Sequence, residues 1–597
     1  MPSRQRLLLL QLPRLDPDVT TPGENVMLAA ACLQSALARS PEGAHWEVIS
    51  VPAMQDSADN AKLLAAVQTL RPDVIGATLY LWNIERTLCL LAALKQSLPH
   101  LRIIVGGPEV AREHPLLFSR ISAKRESPRP LGAGVDVAVI GEGEPVFPDI
   151  LTALRRNGHT RWRNVAWLRK DRLVFGTRPP PTRPLIDLLP PANHPVCRPD
   201  AQGMAYLETN RGCPMRCAFC CYNLRRKGWS SLPPAEVARR IRILRQRGAR
   251  EIRLVDPTFN AHPRFRAILG VLRRANADRQ LKFFVELRAD TLTEPDAAAL
   301  AAANVAEAEV GVQSTDPVVL RCIHRPTNLN RVLAGIERLQ RHGIRPTIDF
   351  MYGLPHQGLD DIERSLAVLE RFPAAHQQFL PTLLLPGTEL RDRAAELHLR
   401  AQPLPPYRMQ STDRLTAHQL AAIESLAEER LGRFDTPTRR FVGRQLPDLF
   451  AERATVNICV PESRRARPRA LQCSHLWRAV GLDRRYISNR RAIIFRGSDL
   501  FAQRQSIVST IRNAARREPD ILWQFVLAPA HEEPLDLLDI LIATIRRLPP
   551  HWLDRLVSPA GTRRFAARRL FVRLPRGQAF DPAWRDAAEA LLTGRFH

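Results

Sequence analysis

The sequence predicts an α/β protein with three parts: a doubly wound parallel sheet, a partial (β/α)6 barrel and a C-terminal α/β extension. Three observations carry this. The first 150 residues alternate short apolar runs with stretches that are apolar at helical spacing. The alternation restarts near residue 203 and yields six further strand–helix units. Beyond about residue 400 the pattern changes and Arg-rich segments intervene. The expected divisions are 1–175, a Pro- and Arg-rich linker over 176–200, the barrel over 201–400, and a helical, α+β extension over 401–597.

The elements follow in order. "RLLLLQL" (6–12), "WEVISV" (46–51), "DVIGATLY" (73–80), "RIIVGG" (102–107) and "VDVAVIG" (135–141) read as strands of the first sheet. "NVMLAAACLQSALA" and "IERTLCLLAALKQSL" read as the helices between them. Ligands of such sheets bind at the carboxyl ends of the strands. The loops there are "TTPGEN" (20–25), "YLWN" (80–83), "GGPE" (106–109) and "GEGEP" (141–145), while residues 112–134 read as an irregular insertion. Barrel strands are expected at 205–210, 251–256, 282–287, 307–314, 347–353 and 377–385. Val237, Ile241 and Leu244 recur at helical spacing behind Pro233–Pro234 and stop before Gly248. In the extension, "LTAHQLAAIESLAEERLGRF" and "LLDILIATIRRL" read as helices, and "RAIIFRG", "LWQFVLAP" and "RRLFVRLP" as strands.

Composition narrows the function classes. The length of 597 residues requires several cores, and 45% hydrophobic with 25% charged residues is ordinary for a soluble globular protein. The "LLLLQL" stretch is too short to span a bilayer, and no small-residue cleavage site follows it, so neither a membrane protein nor a secretory signal is expected. The expected location is cytoplasmic. The net charge is +27, yet only six of the 87 basic residues are lysine and the arginines are scattered. That scatter reads as compositional drift rather than a nucleic-acid face, although an acidic peptide or another anionic partner stays compatible with it.

Four of the ten cysteines fall in "ETNRGCPMRCAFCCYN" (208–223), spaced C-x3-C-x2-C with one more directly after. A disulfide framework does not look like this. Zinc wants four ligands, usually as two close pairs, and only Cys197 and His194 stand nearby to complete a set. A [4Fe–4S] cluster takes one thiolate per iron, so three local cysteines leave one iron open. Gly212 and Pro214 supply the bends around the first thiol. The stretch follows the first barrel strand, where barrel enzymes keep their active sites.

C-x3-C-x2-C after a first barrel strand, with an aromatic before the last Cys, resembles the signature of radical SAM enzymes. Segments further along strengthen the resemblance: "LVDPTFN" (254–260), "VELRAD" (285–290), "EVGVQSTDPVVL" (309–320), "DFMYGLP" (349–355) and "LPGTEL" (385–390) stand where that family has its successive strand-end motifs. A doubly wound sheet with "VGGPE" and "VDVAVIGEGEP" ahead of the barrel resembles the cobalamin-binding domain of the B12-dependent class, most closely its methyltransferases. The D-x-H-x-x-G motif that gives a histidine to cobalt elsewhere is absent, and His45, His100 and His114 do not stand in that context.

The resemblance implies three cofactors, a [4Fe–4S] cluster, S-adenosyl-L-methionine (SAM) and cobalamin. It assigns Cys213, Cys217 and Cys220 to the cluster, with Cys221 as the surplus thiol. It places Phe219, Asp256, Glu286, Arg288, Gln313, Ser314 and Gly353 around SAM. It places Asn25, Tyr80, Trp82, Asn83, Gly106, Gly107, Pro108, Glu109, Gly141, Glu142, Gly143 and Glu144 around cobalamin. It assigns no further catalytic residue. Each position also has a plain structural reading. Glu286 and Arg288 can be an ion pair, Gln313 and Ser314 a helix cap, Asp256 a turn residue, and Tyr80 and Trp82 core aromatics. Tyr407 can reach the active site or cover one end of the barrel.

The expected activity is methyl transfer to an unactivated carbon of a natural product or peptide, through a 5′-deoxyadenosyl radical and methylcobalamin. The expected partners are that small-molecule or peptide substrate and an electron donor of the flavodoxin or ferredoxin type. Nucleic acid is not expected. A B12-dependent radical cyclase or rearrangement enzyme is the next reading, and an RNA-modifying enzyme the third. The third lacks its usual second cysteine cluster, because the first domain holds only Cys32 and Cys89. The basic charge weakly favours an anionic or peptide substrate.

Overall fold

A computed structural model of the chain describes residues 4–13, 25–50, 60–112, 134–169, 172–222, 228–431, 489–517, 521–548, 568–574 and 579–593, with a few positions and short strands between them. Nearly all of the 112–134 insertion lies outside the described residues.

The first sheet runs β1 (Gln5–Leu10), β2 (Trp46–Ile49), β3 (Val74–Thr78), β4 (Arg102–Gly106) and β5 (Val137–Val139), all parallel, in the order β2-β1-β3-β4-β5. Two strands not anticipated from the sequence, β6 (Val165–Arg169) and β7 (Arg172–Phe175), add antiparallel at the edge. Apolar side chains alternate between the two faces. Leu8, Leu10, Ile75, Ile103 and Val105 build one core, and Leu7, Leu9, Val74, Ile104 and Val137 the other. Burial on both faces is why these strands read as unbroken apolar runs. The order of strands reverses between β1 and β3, which opens a crevice at their carboxyl ends.

The second sheet is the partial barrel. It runs β8 (Met204–Leu207), β11 (Glu251–Leu254), β12 (Lys282–Leu287), β13 (Val305–Gln313), β14 (Arg345–Tyr352) and β15 (His376–Pro381), parallel and in chain order. A small hairpin, β9 (Asn210–Arg211) with β10 (Ser230–Ser231), stands on the end of β8. The helix Leu329–Arg341 shows how the outer layer forms. Asn328 accepts the Arg331 amide at its start, Val332, Leu333, Ile336 and Leu339 face inward, and Gly343 with φ +73° ends it. The helix Glu294–Ala302 carries a full capping box between Thr293 and Asp296.

After β15 the chain returns across the barrel through a second small hairpin, β16 (Arg400–Ala401) with β17 (Met409–Ser411), and the helix Ala417–Arg430. Beyond it, β18 (Val442–Gly443), β19 (Thr455–Cys459), β20 (Asn489–Gly497), β21 (Ile521–Pro529) and β22 (Arg569–Arg573) form a parallel sheet in the order β18-β22-β21-β20-β19. The helices Arg504–Arg517, Leu535–Arg546 and Pro582–Thr593 share one core with it, around Phe495, Trp523 and Leu541. The extension is therefore α/β rather than α+β, because its helices serve as crossovers between parallel strands. No helix among the described residues is long and apolar enough to cross a membrane.

Candidate functional site

The cysteine loop leaves β9 at Gly212, whose φ of +115° is open to glycine. A Cβ there would stand 2.7 Å from the Gly228 carbonyl oxygen. The Asn210 side chain donates to the Gly212 carbonyl at 3.2 Å, and Ser231 Oγ fixes Asn210 from the facing strand at 2.9 Å. Further on, the Ala218 amide donates to Ile323 O at 3.0 Å and the Cys220 amide to Cys217 O at 3.0 Å. The loop is thus shaped by backbone bonds before any ligand enters.

None of its thiols forms a disulfide. Cys217 is buried, while Cys213, Cys220 and Cys221 are half-buried. Polar groups surround them: Arg325 Nη1 lies 3.5 Å from Cys217 Sγ, the Tyr222 amide 3.4 Å from Cys220 Sγ, and Thr258 Oγ1, which donates to Pro257 O, 3.4 Å from Cys213 Sγ. Burial pushes the Cys220 thiol up to about 11, the Tyr222 amide opposes this, and the other three thiols of the loop add to the rise. Among the described residues no three His, Cys, Asp or Glu converge closely enough for a single metal ion. Three thiols in one loop suit a cluster, where each ligand takes a different iron. Zinc gains no support. His194 Nδ1 accepts the Val196 amide at 3.1 Å, and Cys197 lies 3.8 Å from Pro191 O in the linker.

The barrel side chains assemble around this loop. Asp256 is fully buried and accepts the Thr209 and Asn210 amides at 2.8 and 3.0 Å, with Thr209 Oγ1 on its other oxygen. It pins the root of the cysteine loop to the end of β11. Burial lifts its carboxyl to about 7 against those hydrogen bonds. Glu286 is lifted to about 7 by burial and by the charges of Glu309 and Asp256. It does not pair with Arg288, which binds Asp290 through Nε at 2.8 Å. Gln313 holds a left-handed φ of +75° with 9% exposure, at a register shift in β13. That is a strained position for a non-glycine residue. Ser314 is buried, donates to Asp361 at 2.7 Å and accepts the Asp316 amide at 3.0 Å, while the cap of the following helix is Asp316, which accepts the Val318 amide at 2.7 Å. Gly353 turns the chain at φ +80° against Met409 and Leu420. Phe219 is partly buried and packs against two apolar clusters, one containing Tyr352 and the other Leu354.

Three groups escaped the sequence reading. Asp349 is lifted to about 9 by burial and by Glu309 and Glu286, with Arg325 opposing, and its Oδ1 is buried without a hydrogen bond. Arg325 also donates to Gly311 O at 2.6 Å. Glu286 stands opposite Glu309, and Gly311 opposite Asp349, in neighbouring strands. The signal was present: Glu309, Gly311 and Gln313 follow the period of two that marks one face of a strand.

A cavity of about 400 Å³ lies between the first sheet and the cysteine loop. Its floor is the crevice at β1, β3, β4 and β5, with Leu9, Gly76, Thr78, Ile104 and Val139 on the strands and Ala30 and Leu33 on the helix Leu28–Ala38. Of the residues named for cobalamin, Tyr80, Gly106, Gly107, Pro108, Gly141, Glu142, Gly143 and Glu144 line it. Asn25, Trp82, Asn83 and Glu109 do not. Asn25 is bonded to Gln11, and Trp82 stacks behind Tyr80 with ring centres 4.5 Å apart. Asn83 is fully buried and takes the Tyr80 amide while donating to Leu12 O and Thr78 O. Glu109 turns away toward His114 and Tyr407.

The barrel closes the other side of the cavity with Glu208, Arg211, Gly212, Cys221 and Tyr222. Arg211 binds Glu208 through two nitrogens at 2.7 and 2.9 Å and reaches Glu142 and Glu144 at 3.3 and 2.9 Å. The charged residues of this wall are three carboxylates and one guanidinium. The basic surplus of the whole chain is not what the cavity presents among the described residues.

Residues 34–151 match the B12 binding domain, and residues 207–369 match the radical SAM superfamily. The chain joins a B12-binding domain to a radical SAM domain. Its relatives include the cobalamin-dependent radical SAM methyltransferase TokK of Streptomyces tokunonensis, 26% identical over 330 residues, which are 51% of this chain and 46% of that one. They also include the anaerobic magnesium-protoporphyrin IX monomethyl ester cyclase of Rubrivivax gelatinosus, 23% identical over 341 residues, 54% of this chain and 58% of that one. The chain spans about half the length of the curated relatives it matches. Among solved structures it resembles the radical SAM methyltransferase TsrM from Kitasatospora setae, with a TM-score of 0.54 and 16% identity over 74% of this chain and 90% of that one. That likeness shows a shared fold of B12-binding and radical SAM domains.

Proposed function

We propose that this chain is a cobalamin-dependent radical SAM methyltransferase acting on an unactivated carbon of a small-molecule or peptide substrate. One observation carries the reading: the cavity at the carboxyl ends of the B12-binding sheet is closed by the cysteine loop of the radical SAM domain. TsrM has been solved with cobalamin and a [4Fe–4S] cluster. The residues here fit the same groups. The cavity is lined mostly by apolar groups with three carboxylates among them, which suits a corrin ring fringed with amides. The three-thiol loop fits a cluster with one open iron.

When bound, the cluster and SAM supply a 5′-deoxyadenosyl radical, and methylcobalamin supplies the methyl group. The chain's own residues bind, orient and shield. Cys213, Cys217 and Cys220 would hold the irons, and the Arg325 guanidinium at Cys217 and the Tyr222 amide at Cys220 favour the thiolate against burial. Asp256 fixes the loop at its root. Glu286, Gln313 and Asp349 line the barrel ends where the SAM ribose and adenine are to be held, and Arg288 stands at the end of β12 facing the loop. Cys221 and Tyr222 face the cavity, where the substrate lies between the two cofactors. The acidic rim favours a substrate with a cationic or hydrogen-bond-donating group there over an anionic one. A flavodoxin or ferredoxin is the proposed electron donor, and the cytoplasm the proposed location.

The likeness to the cyclase keeps a cobalamin-dependent ring-forming reaction as the second reading. Anaerobic reconstitution with iron, sulfide and hydroxocobalamin, followed by desalting, tests the proposal. The expected protein retains cobalamin and about four irons per chain and forms 5′-deoxyadenosine from SAM on reduction. Loss of all cobalamin on desalting would overturn both readings, and a product without a methyl gain would favour the cyclase.

A further inference from the structure

Tyr407 is fully buried and joins the two domains. Its hydroxyl donates to Glu109 Oε2 at 2.8 Å, and His114 Nε2 lies 2.6 Å from the hydroxyl and 3.0 Å from the same carboxylate oxygen. Glu109 and His114 are 3% and 0% exposed. The protons allow one consistent arrangement. The phenol donates to the carboxylate, so Nε2 carries a hydrogen and donates to both oxygens. His114 is therefore committed to this cluster and does not face the cavity. Tyr407 also holds a left-handed φ of +58°, a costly state for a large aromatic that persists where the surroundings fix it.

Both flanks of this cluster lead to the candidate site. Glu109 directly follows Gly106, Gly107 and Pro108, which form the cavity wall, and its amide donates to Leu79 O at 3.2 Å. On the barrel side, the Arg391 guanidinium lies 5.0 Å from the Tyr407 ring centre and donates to Leu384 O at 2.7 Å. The adjacent Leu390 amide donates to Ala218 O, inside the cysteine loop, at 2.9 Å. One run of contacts thus connects the cavity wall to the cluster loop, with Tyr407 in the middle.

We infer that Tyr407 is a positioning residue, whose hydroxyl holds the Gly106–Glu109 wall and the Cys213–Cys220 loop in one fixed frame. The inference rests on the reading that the cavity takes cobalamin and the loop takes the cluster. Its role is to set the separation of the two groups, and no substrate or cofactor contact is assigned to it. Tyr407→Phe keeps the ring and its packing and removes the two hydrogen bonds of the hydroxyl, to Glu109 and from His114. Glu109→Gln keeps an acceptor for the phenol.

Two measurements on the full chain test this. The first needs no cobalamin. Amide hydrogen exchange of Tyr407→Phe is expected to rise at least about tenfold, the effect of losing a single hydrogen bond, at Glu109 and Leu79 on one side and at Leu390 on the other. Glu109→Gln is expected to exchange like the native chain. A rise confined to Leu384 and Leu404, which flank Tyr407, or no rise at all, overturns the inference. The second uses protein loaded with both groups, where the spin–spin interaction between cob(II)alamin and the reduced cluster reads their separation. Tyr407→Phe is expected to bind both groups and to broaden that distribution, and Glu109→Gln to keep it narrow. An unchanged distribution in Tyr407→Phe overturns the inference. Should Tyr407→Phe fail to fold, Glu109→Met removes the Tyr407–Glu109 bond from the other side, together with the His114–Glu109 contact, and is read in its place. A native chain that binds no cobalamin refutes the proposed function alone, because the exchange measurement still decides the role of Tyr407.

Discussion

Arg211 Nη1 of the radical SAM domain lies 2.9 Å from Glu144 of the B12-binding domain, across the mouth of the shared cavity. The same guanidinium is held by Glu208 beside it, and Glu142 lies 3.3 Å away. Arg211, Glu208 and Glu144 are each at most 15% exposed at the side chain, so little water is left to solvate them. Burial works against the guanidinium charge, but the Glu208 hydrogen bonds and the three carboxylate charges hold its pKa above the ordinary arginine value.

Removing that cation leaves three carboxylates together at the cavity without its counter-charge. Arg211→Ala is expected to cost about 3–5 kcal/mol, the range for breaking a buried ion pair, in denaturant unfolding of the full chain. Arg211→Lys, which cannot reproduce the two-nitrogen grip on Glu208, is expected to recover only part of that loss. If Arg211→Ala unfolds within about 0.5 kcal/mol of the native chain, as an ordinary surface change does, the ion network is not a domain tie.

The cysteine loop gives a sharper test of assignment. Cys213→Ala, Cys217→Ala and Cys220→Ala are each expected to lose the cluster, read as iron and sulfide content and visible absorption after anaerobic reconstitution. Cys221→Ala is expected to keep it, because Cys221 faces the cavity with Tyr222. A Cys221→Ala protein without iron beside a Cys220→Ala protein with iron would reverse the roles of the two adjacent thiols.

Much of the frame was legible because burial leaves a local mark. The strand "KFFVEL" over 282–287 is apolar for its first buried positions, and β12 forms over those six residues. The edge pair β6 and β7 was not legible, because charged residues punctuate the run "VAWLRKDRLVF". At the site, strand-end glycines were legible as cavity wall, since only close backbone approach explains them. Asn83 looked the same as a ligand-binding residue, yet it spends its amide on backbone groups of its own domain. Glu109 and Tyr407 are 298 residues apart, and nothing local in either segment announces the other. Arg211, Cys221 and Tyr222 line the cavity only through the docking of two domains, which period and spacing do not encode.

Gly107 tests the cavity wall itself. Its φ is +108°, and an added Cβ would meet Leu79 O at 2.6 Å and Leu79 N at 2.9 Å, both backbone atoms that cannot move aside. Gly107→Ala is expected to lose about 1–3 kcal/mol through backbone strain and to release cobalamin on desalting while its iron content stays at the native level. Equal loss of iron and cobalamin would mean that the substitution damages the whole chain rather than the wall.

Asp256 carries a pH prediction whose sign follows from its burial. Its carboxyl titrates near 7 in the folded chain against an ordinary value of 3.8. Between those two values the folded chain binds a proton that the unfolded chain has released. Unfolding free energy therefore falls as pH rises from about 4 to about 7 and is flat with respect to this group above that. Asp256→Asn has no proton to lose in that window. Its carbonyl oxygen can still accept the Thr209 and Asn210 amides, and its amide nitrogen can donate to Thr209 Oγ1. The stability of the native chain relative to Asp256→Asn is thus expected to decline from pH 4 to pH 7, measured by denaturant unfolding of cluster-free protein at each pH. A difference that stays constant across the window, or grows with pH, would show that the Asp256 carboxyl is not raised by burial and that its hydrogen bonds to the root of the cysteine loop dominate instead.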